Sequence, residues 1–222
     1  MPRTSRGLAD GYCYHILNRG NGRQQVFHKD QDYLAFINLL SEAIERYPIT
    51  LFAYCLMPNH FHLLVRAEMG EELSRCMQWL MTSHVRRYHR HYGGSGHVWQ
   101  GRYKSFIVQQ DSYLVTAARY IEANPLRAGM VDKAQNWPWS SYCESSGEKE
   151  RQITAPIPTP YNLNWAEFVN QPLTQGQQNK WQKSMERQSP FGEEDWQKRV
   201  CGQFGLESTL RPIGRPRKIQ EK

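Results

Sequence analysis

The chain has 222 residues, with 28 lysines and arginines against 21 aspartates and glutamates, a formal charge of +7 and 12% aromatic residues. That length holds one well-buried domain with added segments, or two small domains, and the positive excess favours an acidic partner, most commonly nucleic acid. No run of 18 apolar residues occurs and the start, Met1-Pro-Arg-Thr-Ser-Arg-Gly-Leu8, lacks an apolar core, so neither a membrane span nor a secretory signal is expected.

Taken in chain order, residues 11–18 predict a strand that ends in the turn-forming Arg19-Gly-Asn-Gly22. Residues 30–47 predict a helix, because Tyr33, Phe36, Ile37, Leu40 and Ile44 recur at helical spacing after an acidic start. Residues 49–56 and 60–66 predict two strands joined by a tight hairpin at Met57-Pro-Asn59. Residues 71–92 predict a second helix with Leu73, Met77, Leu80, Met81 and Val85 in its apolar stripe, broken by Gly93-Gly-Ser-Gly96. A strand at 103–108 and a third helix at 111–123, started by Asp111 or Ser112 and stopped before Pro125, complete the order β-α-β-β-α-β-α. That order predicts an α+β fold, a ferredoxin-like antiparallel sheet with helices packed on one face.

Beyond this the composition changes. The expected division is a main domain at 1–144, an extended Pro-rich linker at 145–180 with a short helix near 165–169, and a segment at 181–222. That last segment holds a helix from about 192 to 204 and a basic tail, so the C-terminal extension is mostly irregular and helical. Five scattered cysteines with no C-x-x-C pair point to reduced thiols and a cytoplasmic protein.

The chemistry concentrates in His60-Phe61-His62. Residues two apart on a strand share a face, so the two imidazoles aim at one spot while Phe61, Leu63 and Val65 face the other way. Such a pair is half of a metal site. A candidate completion lies in Tyr120-Ile-Glu-Ala-Asn124, where Tyr120 and Asn124 are one helical repeat apart. Asn124 offers an amide oxygen to a hard cation and Tyr120 a phenolate nucleophile. The competing reading has Tyr120 packed and Asn124 capping the helix before Pro125. Glu122 falls on roughly the opposite face, and Tyr113 is the rival nucleophile, without an Asn at i+4.

Residues 73–110 contain no Asp or Glu. Within them Arg86, Arg87, Arg90, Arg102 and Lys104 are interleaved with aromatics including Trp99, a composition that suits a single-stranded backbone with stackable bases. Trp99 also suits a core position. In the tail, Gly214-Arg-Pro-Arg217 has the form of a minor-groove binder through Arg215 and Arg217, or of a plain basic tail. Two alternatives stay open on the residues alone: a DNA-binding protein without catalysis, and a zinc hydrolase using His60, His62 and His15 or His97.

Four motifs together resemble a known family. Met57-Pro-Asn-His-Phe-His-Leu-Leu-Val65, Val98-Trp-Gln-Gly-Arg-Tyr-Lys-Ser105, Tyr120-Ile-Glu-Ala-Asn-Pro-Leu-Arg-Ala-Gly-Met-Val131 and Trp137-Pro-Trp-Ser-Ser141 are similar to the single-tyrosine HUH transposases of the IS200-like superfamily, in particular the REP-associated tyrosine transposases of bacteria. The resemblance covers about residues 8–143. It implies His60, His62 and Asn124 as ligands of Mg²⁺ or Mn²⁺ and Tyr120 as nucleophile. It also implies cleavage and rejoining of single-stranded DNA near palindromic hairpins through a 5′-phosphotyrosine. A nucleoid-associated monomer, rather than a dimer, is the expected state.

Overall fold

Each strand alternates between two chemically different faces, and the fold uses both. The computed structural model describes residues 8–158 and 163–211. Strands β1 (Cys13–Arg19), β2 (Ile49–Met57), β3 (His60–Ala67) and β4 (Lys104–Val108) form one antiparallel sheet in the order β2-β3-β1-β4. This is the ferredoxin-like α+β sheet predicted from the element order, with helices on both of its faces rather than on one. Helices α1 (Asp30–Arg46) and α2 (Gly70–Tyr92) pack on one face. There Phe36, Leu40, Leu73, Met77 and Leu80 meet Ile16, Leu56, Phe61, Leu63 and Val65 in the larger apolar core.

The opposite face carries the histidines and a second apolar cluster. Helix α3 (Ser112–Glu122) lies on it, started by Asp111, whose carboxylate accepts from the Tyr113 N–H at 2.8 Å. Its small residues Ala117 and Ala118 join Ala53, Cys55 and Leu64 in that cluster, so the helix backbone can sit close to the sheet. A register shift between Leu51 and Ala53 turns Phe52 and Ala53 both toward this layer, as a bulge does. Then come α4 (Asn124–Arg127), α5 (Tyr142–Ser145), α6 (Trp165–Asn170), α7 (Gln175–Arg187) and α8 (Glu194–Phe204). No described helix is long and apolar enough to cross a membrane.

Helix α7 departs from the sequence expectation, since it begins inside the predicted linker and runs across residue 180. Its sequence is nearly all polar, and only Trp181 and Ser184 are buried, so it has almost no apolar stripe to read. A capping box between Thr174 and Gln177 starts it and the burial of one indole anchors it.

Both edges of the sheet are covered. Outside β2, Leu56 N–H donates to Trp139 O at 2.8 Å and Ser141 N–H to Tyr54 O at 2.9 Å, so the Trp137–Ser141 motif acts as a short extra edge. Outside β4, Phe191 N–H donates to Ile107 O at 2.8 Å and Gln109 N–H to Phe191 O at 2.9 Å. Unpaired strand edges invite association with other chains, and these contacts remove that liability.

Candidate active site

The hairpin turn that starts β3 is pinned by the loop following β1. Gly20 N–H donates to Asn59 O at 2.7 Å, and the N–H groups of Val26 and Phe27 donate to Pro58 O at 2.8 and 3.0 Å. The turn therefore enters β3 in one orientation, with His60 and His62 on the α3 side and their rings 5.0 Å apart at 82°. His60 Nδ1–H donates to Asn59 Oδ1 at 2.6 Å, which leaves Nε2 as a bare lone pair. Burial, with the Arg19 charge adding to it, pushes the His60 imidazole down to about 4. Burial holds His62 well below its usual range too, helped by His15, His60, Arg127 and Arg19. Both rings are neutral at physiological pH, the state a metal ligand requires.

Helix α3 brings Tyr120 to the same side of the sheet. Trp181 of α7 lies against the Tyr120 ring, with centroids 4.3 Å apart, and also against His15 at 5.0 Å. The Arg127 guanidinium stands 3.3 Å from the Tyr120 ring centroid and donates to Asn124 Oδ1 at 2.7 Å. Burial raises the Tyr120 phenol above its ordinary value, while the Arg127 cation beside it pulls it back. Asn124 Nδ2 is buried with no partner, so this amide is incompletely satisfied as it stands. Its oxygen keeps a second lone pair beside the Arg127 bond. Two imidazole nitrogens and an amide oxygen are donor types that suit a divalent cation.

Tyr120 and Arg127 border a groove of about 900 Å³, whose lining does not include His60, His62 or Asn124. Arg19, Arg102 and Lys104 line it together with Tyr120 and Arg127, and α7 supplies Gln178, Gln182, Met185 and Glu186 on its wall. Four cations against one carboxylate make it a channel for a polyanion.

A family model described as Transposase IS200 like matches residues 9–124, more than half of the chain. The chain belongs to the IS200-like transposases. A REP-associated tyrosine transposase of Escherichia coli is 20% identical over 135 residues, spanning 61% of this chain and 78% of that one. A Haemophilus influenzae relative assigned to the same group is 28% identical over 123 residues, 50% of this chain and 69% of its own. A solved structure of a REP-associated tyrosine transposase bound to a REP hairpin superimposes with a TM-score of 0.56 at 19% identity, covering 73% of this chain and 96% of that one. That last likeness bears on the fold, and the family resemblance carried by the four motifs is borne out.

Not every residue expected to meet DNA faces the transposase's groove. Trp99 is 4% exposed and packs among Phe27, Phe36, Phe61 and His84, which corrects its expected role as a DNA contact. The cause is local: Gln100 N–H donates to Arg19 O at 2.8 Å and Asn21 N–H to Val98 O at 2.9 Å, which turns the indole inward and leaves Arg102 and Lys104 outside. Arg86 and Arg102 border a second hollow of about 730 Å³ beside α2, which also holds His97. Arg87 lies by His84 and Tyr92, and Arg90 is exposed. Arg215 and Arg217 lie outside the described residues.

The remaining candidates separate as well. Tyr113 takes a hydrogen bond from Lys180 Nζ at 2.7 Å and does not line the groove. Glu122 is fully buried and accepts from Ser141 and Ser145 at 2.6 Å and from the Trp165 indole at 2.7 Å, so it ties α3 to α5 and α6. Among the described residues no three His, Cys, Asp or Glu side chains are arranged to hold a metal ion together, so neither His15 nor His97 completes a zinc site with the pair. Sequence reading missed Arg19, Arg127 and Trp181. Arg127 sits seven residues after Tyr120, close to two helical turns, and that spacing was the available signal.

Proposed function

We propose that this transposase is a metal-dependent single-strand DNA endonuclease and strand transferase with Tyr120 as nucleophile. The observation that carries the reading is the placement of Tyr120 and Arg127 in a basic groove bordered by the end of β1, whose Arg19 pairs in register with His60. His60, His62 and Asn124 would hold Mg²⁺ or Mn²⁺, which supplies positive charge to a phosphate oxygen when bound. The Tyr120 oxygen attacks phosphorus as its phenolic proton departs. The P–O3′ bond breaks, the 3′ oxygen takes up a proton, and the 5′-phosphate stays on Tyr120 as a phosphotyrosine. Attack by a 3′-hydroxyl on that ester reverses the step and rejoins a strand without another energy source. Arg127 balances the phenolate, while Arg19, Arg102 and Lys104 hold the flanking backbone.

A hairpin-bearing substrate is supported by the hairpin bound to the similar transposase, and a single strand by a groove that threads between α7 and the sheet. Each chain is proposed to act as a monomer, with its own Tyr120 serving its own histidines.

The test incubates the full chain with single-stranded oligonucleotides carrying imperfect palindromic hairpins and Mg²⁺ or Mn²⁺. A denaturation-resistant protein–DNA adduct is expected for wild type and none for Tyr120→Phe. An adduct undiminished in Tyr120→Phe would sink the assignment, and wild type that binds the hairpin with no adduct would favour a purely DNA-binding protein.

A further inference from the structure

His15 on β1 is fully buried, yet nothing in its packing calls for a polar ring. Phe106 and Trp181 enclose it with centroids at 4.7 and 5.0 Å, and its Nδ1 is buried without a partner. A phenylalanine would fill that space and leave no nitrogen unsatisfied. What the histidine adds is one contact: its Nε2 lies 2.8 Å from His62 Nδ1, with the rings stacked at 23° and 5.0 Å. Sheet register creates this meeting. Leu17 stands opposite His62 and His15 opposite Leu64, so His15 and His62 are diagonal neighbours on the same face.

Two proton arrangements satisfy an N···N contact between neutral imidazoles. In one, His15 Nε2–H donates to His62 Nδ1, and His62 must then carry its proton on Nε2, where it has no lone pair to offer. In the other, His62 Nδ1–H donates to His15 Nε2, and His62 Nε2 is a bare lone pair. His60 is already in the second state, because Asn59 Oδ1 accepts from its Nδ1. Only the second arrangement gives the pair matched lone pairs. A group behind a ligating histidine fixes its tautomer and ring orientation in this way.

We propose that His15 is a positioning residue that accepts the His62 Nδ1–H and holds His62 in the tautomer whose Nε2 can take a divalent cation. This deepens the metal reading above and rests on His60 and His62 being ligands. The test has two readouts in full-length protein. Nitrogen-15 imidazole spectra of the metal-free protein report which His62 nitrogen is protonated, and Mn²⁺ titration followed by electron paramagnetic resonance reports affinity. The Nδ1–H form is expected in wild type. His15→Gln, whose amide oxygen can accept in place of Nε2, should keep that form and stay within about threefold in Mn²⁺ affinity. His15→Phe should keep the fold by circular dichroism and bind Mn²⁺ about 10–100-fold more weakly.

An Nε2–H tautomer in wild type overturns the proposal without reference to any variant. So does folded His15→Phe that binds Mn²⁺ as wild type does. If wild type binds Mn²⁺ no better than the double variant His60→Ala/His62→Ala, the metal reading itself fails. The tautomer readout then still decides what His15 does: loss of the Nδ1–H form in His15→Phe supports its positioning role, and retention of that form refutes it.

Discussion

A tyrosine must lose its proton to attack phosphorus, and the surroundings of Tyr120 pull in both directions. Burial favours the neutral phenol, while the Arg127 cation favours the phenolate. With the phenol held above its ordinary value, adduct formation is expected to accelerate as pH rises through the neutral and mildly alkaline range. Arg127→Ala removes the cation next to the ring, so its pH–rate profile should move to higher pH and its rate at pH 8 should fall about 10–100-fold. Arg127→Lys keeps the charge and loses the planar stacking on the ring, so an intermediate rate is expected. An unshifted profile for Arg127→Ala would count against an electrostatic role. Glu122 shows the opposite case, a carboxylate two residues from Tyr120 whose partners are all structural. Glu122→Gln leaves at least one of its three donors short of an acceptor and should cost about 1–3 kcal/mol in urea unfolding, with Mn²⁺ affinity unchanged.

At the scale of elements, two connections hold the site in place. One is the loop after β1. A Cβ at Gly20 would stand 2.2 Å from the Gln24 carbonyl oxygen, so Gly20→Ala must shift the loop that grips Pro58 and Asn59. Lower thermal stability and weaker Mn²⁺ binding are expected together, because the same hydrogen bonds fix the start of β3. The other is α7, anchored by the nearly fully buried Trp181 against His15, Phe106, Tyr120 and Phe191. Trp181→Ala should cost about 3–5 kcal/mol by denaturant unfolding, the usual range for emptying a large aromatic site. Helix α7 was illegible from periodicity, since one tryptophan among glutamines and lysines makes no stripe. Its capping box, Thr174 with Gln177, was legible and went unread.

For the whole molecule, charge and acid stability follow from what the fold buries. The acid-free stretch does not form one basic face, since Arg102 and Lys104 reach the groove, Arg86 borders a second hollow and Arg87 a third. Arg75 is paired with Glu71 and Glu72 at 2.7 and 2.9 Å, a neutralisation that its i−4 and i−3 neighbours already announce. His84 lies inside the main core, and burial pushes its imidazole down to about 4. The unfolded ring titrates near 6.5, so the unfolded chain takes the proton first. The stability contribution is therefore full above about pH 6.5 and is lost as pH falls toward 4, at about 1.4 kcal/mol per pH unit. His84→Phe should flatten the decline between pH 6.5 and 5 by one proton's worth in urea midpoints.

What the sequence determined by itself was local. Element order, the shared face of His60 and His62, and the i+4 spacing of Tyr120 and Asn124 depend only on the periods of strand and helix, which the chain carries in its spacing. Tertiary structure alone decided which groups meet across distance. Strand register set His15 against His62 and Arg19 opposite His60, the loop beside β1 turned Trp99 inward, and α7 folded back to cover Tyr120. Each of these depends on pairings between segments far apart in the chain, where no periodicity runs from one partner to the other.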